Sequence, residues 1–229
     1  MTRLLLTLTL LVFGLPAVQA QISEDLSTVE GGQDLEKVKR AKFRETYANA
    51  EIDFSRYSKI YLGDAYFDYR DVGPAERTRS NSFRHSSKTY FGISQEDRDK
   101  FEAIVDEAFI KELNKGKKYE IVDEIDPETL IMRGAVVDIV SKVPPEFVGR
   151  SEVYLATVGE ATLMLEFLDG PSGIVVARVS ERRKIEPPGG RIDSFTMQAN
   201  SVTVWAEVRR WASNAARRLR STLDSSLGG

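Results

Sequence analysis

The sequence predicts an α/β fold of the α+β kind, a two-layer sandwich. A mostly antiparallel sheet of about five strands carries two main helices on one face. Three observations lead there. Ser151 to Arg182 reads as a long hairpin, with Val153, Leu155, Ala161, Leu163, Leu165 and Phe167 on one parity and Glu160, Thr162 and Glu166 on the other. Two further stretches space their apolar residues as helices do. The elements run β-α-β-β-β-β-α, so the first βαβ unit is expected to be parallel and right-handed, and the later strands, joined by short turns, antiparallel.

At the N-terminus, Arg3 precedes an apolar run from Leu4 to Leu15, then Pro16 and the small-residue pattern Val18-Gln19-Ala20. This is the layout of a secretory signal cleaved near Ala20, and it is short for a span of ~30 Å of hydrocarbon. A periplasmic or secreted location is the expectation. Removing residues 1–20 takes away one charge, Arg3, and moves the net charge from -3 to -4. Residues 21–50 read as a polar leader. Within it, Asp34 to Ala50 has the spacing of a short helix or an ordered lead-in, through Leu35, Val38 and Ala41. Residues 51–225 then form a single domain.

Lys59-Ile60-Tyr61-Leu62 opens the first strand, and Tyr66, Phe67 and Tyr69 favour its extension. After Gly73-Pro74 the pattern is lost in a basic stretch that includes Arg77, Arg79, Arg84 and Lys88, as in a loose surface loop. Ser94 caps the first helix, with Asp97 at the capping-box position. Phe101, Ile104, Val105, Ala108, Phe109 and Leu113 form its stripe, and Gly116 suits the residue after its end. Tyr119 to Val122 is a short strand. Thr129 to Val140 is a longer one, with Gly134 marking a bulge or a close approach. Asp169-Gly170-Pro171-Ser172-Gly173 turns the hairpin. Asn200 or Ser201 caps a last helix, whose stripe is Val204, Val208, Trp211, Ala212, Ala215, Leu219 and Leu223.

The chemistry that the chain can support is narrow. A net charge of -3 argues against nucleic acid as a partner. No cysteine is present, which excludes disulfides, thiolate catalysis and cysteine zinc sites. His85 is the single histidine, so a metal site would rest on carboxylates. Asp123, Glu124, Asp126 and Glu128 cluster without EF-hand spacing. No nucleophile elbow, P-loop or dinucleotide fingerprint appears. No cofactor is expected. Carboxylate pairs are chosen in space and leave a hydrolase of an envelope polymer as the alternative reading.

Two surfaces remain. Tyr66, Phe67, Tyr69, Arg70, Phe83 and Arg84 mix aromatics with arginine, the pairing enriched at interfaces, against packing of the same rings under a loop. Arg209, Arg217 and Arg220, with their neighbours Arg210 and Arg218, could meet anionic lipid, against a solvated helix face.

The segments Asp53-Phe54-Ser55-Arg56-Tyr57-Ser58-Lys59-Ile60, Phe67-Asp68-Tyr69-Arg70, Ser94-Gln95-Glu96-Asp97-Arg98 and Lys118-Tyr119-Glu120-Ile121-Val122-Asp123 resemble the DUF3313 proteins. These are bacterial envelope proteins, often lipoproteins, of unassigned activity. The layout is also similar to small α/β domains of the TolB N-terminal type. The signal pattern, the lack of a catalytic constellation and the aromatic-arginine stretch lead to the expectation of a non-catalytic binding or assembly domain of the envelope, with envelope proteins or further copies of the chain as partners. The resemblance brings no catalytic residues. This chain departs from the lipoproteins in having no cysteine to carry a lipid anchor.

Overall fold

The computed structural model describes residues 34–72, 90–144, 154–187 and 197–227. The hairpin is its longest ladder. β7 (Gly159–Asp169) and β8 (Val175–Ile185) pair antiparallel, with Leu165 beside Val179 and Phe167 beside Ala177. Ala161, Leu163, Leu165 and Phe167 are all buried on the helix side, as the parity requires. Gly173 turns the chain at a φ of +66°, and the Asp169 carboxylate accepts from the Ser172 N–H at 3.1 Å and hydroxyl at 2.6 Å. The strand starts later than its parity suggests. Leu155 belongs to β6 (Tyr154–Leu155), which pairs with β9 (Met197–Gln198) in a separate two-stranded sheet. Gly159 begins β7 where the Val140 carbonyl packs against it, a space that any side chain would fill.

The main sheet corrects the expectation of about five mostly antiparallel strands. Among the described residues it has seven and is mixed. Their spatial order is β1 (Leu35–Lys37), β2 (Glu45–Asn49), β8, β7, β5 (Thr129–Ser141), β3 (Lys59–Tyr69) and β4 (Glu120–Val122). β3 runs parallel to both of its neighbours, β4 and β5. The parallel βαβ pair is thus present, but the next strand crosses to the far side of β3 instead of pairing with β4. From β5 onward the ladders are antiparallel. The two further strands come from the stretch read as a short helix or lead-in. β1 and β2 form an antiparallel edge on β8. Their charge hid them, because an edge strand with lysine shows little alternation.

Two helices cover one face. α1 (Gln95–Leu113) is capped by Ser94, whose Oγ accepts from the Asp97 N–H. α2 (Ser201–Ser226) is capped by Asn200 in a capping box with Thr203. Phe101 of α1 meets Trp211 of α2 with ring centroids 6.1 Å apart, and both stripes join the sheet in one core. Phe109 is half-buried at its margin. Gly116 does not adopt the left-handed conformation expected after a helix; it leaves room for the Tyr119 ring, whose hydroxyl donates to the Leu113 carbonyl at 3.1 Å. No described helix is long and apolar enough to cross a membrane.

Candidate functional site

β3 divides the aromatic-arginine set between the two faces of the sheet. Up to Leu62 its even residues face the helices, with Ile60 fully buried. The register then shifts between Leu62 and Ala65, and beyond the irregularity the odd residues face inward. Phe67 and Tyr69 therefore pack edge-on against Phe101, at 6.3 and 6.4 Å. The Tyr69 hydroxyl donates to Glu102 Oε1 at 3.0 Å, and the Arg98 guanidinium lies 4.6 Å from its ring. Burial, with the Glu102 carboxylate beside it, pushes the Tyr69 phenol far above its ordinary range. Tyr66 and Arg70 face the other way, and Tyr66 is 52% exposed. Phe83, Arg84 and His85 lie outside the described residues.

Arg70 is the start of a polar network on the face turned from the helices. Its Nε and Nη2 donate to the two oxygens of Asp138, at 2.5 and 2.6 Å. Asp138 is the extra residue of a bulge in β5, between Val137 and Val140, with a φ of +55°. Arg182 of β8 also donates to Asp138 and reaches Glu160 at 3.2 Å. Lys142 completes the chain, 3.3 Å from Glu160. Tyr90 lies under two cations, with Arg70 at 5.4 Å and Lys142 at 5.6 Å from its ring. Burial would raise the Asp138 carboxyl, but Arg70 and Arg182 outweigh it and hold it below its usual value. Lys142 and Arg182 do the same for partly buried Glu160. Three cations thus share two carboxylates on a partly exposed surface, on the same face of the sheet as Tyr66. Such a set can recognise a polar or anionic partner by exchanging ion pairs.

A second row on the same face is buried. Glu166 accepts from Arg178 Nε at 2.9 Å and lies 3.4 Å from Arg133. Glu166 is 5% and Arg178 3% exposed. The sequence marked Glu166 as the polar parity of the hairpin and missed its partner. The signal was the register: a five-residue turn places Arg178 opposite Glu166.

The arginines of α2 do not form one free face. Arg218 bonds Glu181 at 2.6 Å, Arg210 pairs with Glu207, and Arg220 lies 4.0 Å from buried Glu112. Lys115 donates to the same Glu112 at 2.6 Å. Arg217 is exposed and donates to Asn214, and Arg209 is exposed with no ion pair among the described residues. Of the acidic cluster, Asp126 is taken by Lys59 and Thr129, and Glu128 accepts from Ser58 at 2.6 Å. No group of three or more metal-type side chains converges among the described residues.

Residues 27–219 match the model of a family described as protein of unknown function (DUF3313). The chain belongs to the DUF3313 family. No curated protein matches this DUF3313 chain. Among solved structures it is similar to the PelC dodecamer from Paraburkholderia phytofirmans, at 10% identity over 76% of this chain and 96% of that one, with a TM-score of 0.34. It is also similar to protein XCC0632 from Xanthomonas campestris, at 16% identity over 73% and 84% with a TM-score of 0.37. A putative neuraminyllactose-binding hemagglutinin homolog from Helicobacter pylori aligns at 14% identity over 73% and 83%, with a TM-score of 0.33.

Proposed function

We propose that this DUF3313 protein is an exported, periplasmic, non-catalytic domain that binds or assembles with protein components of the bacterial cell envelope. The observation that carries the reading is that the half-exposed Tyr66 and the Arg70–Asp138–Arg182 network share the face of the sheet turned from the helices. An exposed aromatic and a shared set of arginines on one face is the composition of a protein-binding surface. The export half rests on the N-terminal signal pattern. It is tested by fractionating cells and measuring the mature mass; a chain that keeps Met1 to Ala20 in the cytosol would overturn it.

The binding half is tested with a photo-crosslinking residue placed at Tyr66 in living cells. A discrete partner band is expected there, lost on Arg70→Ala, and absent when the same probe replaces exposed Glu107. Equal labelling at both positions counts against the site. One observation favours the alternative, a carboxylate-dependent hydrolase. Partial burial and the Glu102 charge raise the Asp106 carboxyl, one turn along α1. Both carboxylates stand on the same helix, a poor arrangement for flanking a scissile bond. Loss of envelope-polymer cleavage on Glu102→Gln and Asp106→Asn would favour that alternative.

A further inference from the structure

The connection between β1 and β2 packs Lys37, Lys39, Arg40, Lys42 and Arg44 into eight residues of a chain whose net charge is -3. It is not a loose loop. Phe43 is 3% exposed within the core, and the Arg218 guanidinium lies 5.3 Å from its ring. Lys42 Nζ donates to the Ser221 carbonyl at 2.9 Å and hydroxyl at 2.6 Å, which ties the connection to the last turns of α2. Arg40 makes the turn at a φ of +61°. Residues Lys37 to Arg44, with Glu181, line an open groove of about 500 Å³. That volume is in the range of small-molecule sites.

The charges within the groove are unequally used. Lys37 is paired with Glu45 at 2.6 Å, and Glu181 is occupied by Arg183 and Arg218. Lys39, Arg40 and Arg44 are exposed and make no ion pair or side-chain hydrogen bond with a described residue. Two guanidinium forks and an ammonium are carried on a connection whose backbone is anchored by buried Phe43 and by Lys42, and together they suit a compact group with more than one negative charge. We infer that the groove binds a multiply charged phosphate group, carried by a phosphorylated saccharide or by a lipid head group. This goes beyond the protein-binding role: the groove is lined by Lys37 of β1, the connection that leads to β2 and Glu181 of β8, and shares no residue with the Tyr66–Arg70 site.

Titration calorimetry of the whole mature chain with inorganic pyrophosphate tests it. One saturable site is expected, weakened by salt. The triple variant Lys39→Ser, Arg40→Asn, Arg44→Ser should lose about tenfold or more in affinity, and Arg209→Ser should lose nothing. Should the triple variant melt early, Arg44→Ser alone, with an expected loss of about threefold, decides. Absence of saturable binding, or a folded triple variant that binds like the wild type, overturns the proposal. Vesicles of phosphatidylcholine with and without phosphatidylglycerol separate the two sources. Co-sedimentation with the charged vesicles, reversed by pyrophosphate, assigns a lipid head group. Pyrophosphate binding without co-sedimentation assigns a soluble phosphorylated saccharide.

Discussion

Asp169 gathers donors from three residues in two parts of the chain. Arg56 Nη2 reaches it at 2.8 Å, the Tyr57 hydroxyl at 2.9 Å, and Ser172 through both its N–H and its hydroxyl. Burial would raise the carboxyl above its ordinary 3.8, but the Ser172 and Tyr57 hydrogen bonds and the Arg56 charge hold it below. A depressed carboxyl contributes stability that is whole above about pH 5 and fades as the pH falls through 3.8 and below. Asp169→Asn should therefore cost about 1–3 kcal/mol at neutral pH, and urea melts should show that cost shrinking towards about pH 3. Tyr57 works in the other direction. Burial and Asp169 push its phenol up to about 12, so its contribution is whole below pH 10 and is lost as the pH rises through 12. Tyr57→Phe should flatten the alkaline limb of the stability profile. The sequence displayed Asp169 as turn chemistry with Ser172 and nothing more, because Arg56 and Tyr57 lie over a hundred residues away. Asp138 was equally silent. Its two arginines come together only once four strands, β3, β5, β7 and β8, are in register, and Asp138→Asn, which tolerates the same φ, should leave the fold intact while abolishing crosslinking at Tyr66.

At the scale of elements, legibility followed periodicity. Both helices were readable because an internal stripe and a side-chain cap are local facts, and Ser94 and Asn200 cap where the residue types indicated. The β7–β8 hairpin was readable for the same reason. β3 was only half legible: its inward parity switches from Ile60 and Leu62 to Phe67 and Tyr69 across the irregularity, so no single alternation runs its length. That switch sorts Tyr69 into the core and Tyr66 to the surface. Phe101, against which Phe67, Tyr69 and Trp211 all pack, joins β3 to both helices. Phe101→Ala should cost about 3–5 kcal/mol, seen as a fall in melting temperature, whereas Tyr66→Ala should change it by no more than about 0.5 kcal/mol.

For the whole molecule, the part least legible was the leader. Residues 34–50 have the composition of a solvated tail, yet Phe43 is buried and β2 adds a ladder to β8 from Glu45–Ser180 to Ala48–Ala177. A chain beginning at Glu51 should be markedly less stable than one beginning at Gln21. Phe43→Ala alone should remove about 3–4 kcal/mol, by chemical denaturation. Equal midpoints would show that the edge strands are dispensable.

The parallel placement of β3 also sets an order of events in time. Lys59 finds its partner at Thr129, and no turn of a few residues can bring those strands together. The hairpin and the helices can form locally, but the sheet stays split until that long loop closes, so refolding should take milliseconds or longer. The same dependence fixes where cooperativity begins: β3 has no neighbour to lock against until β5 or β4 has been made, so neither of its ladders can precede the chain that follows α1.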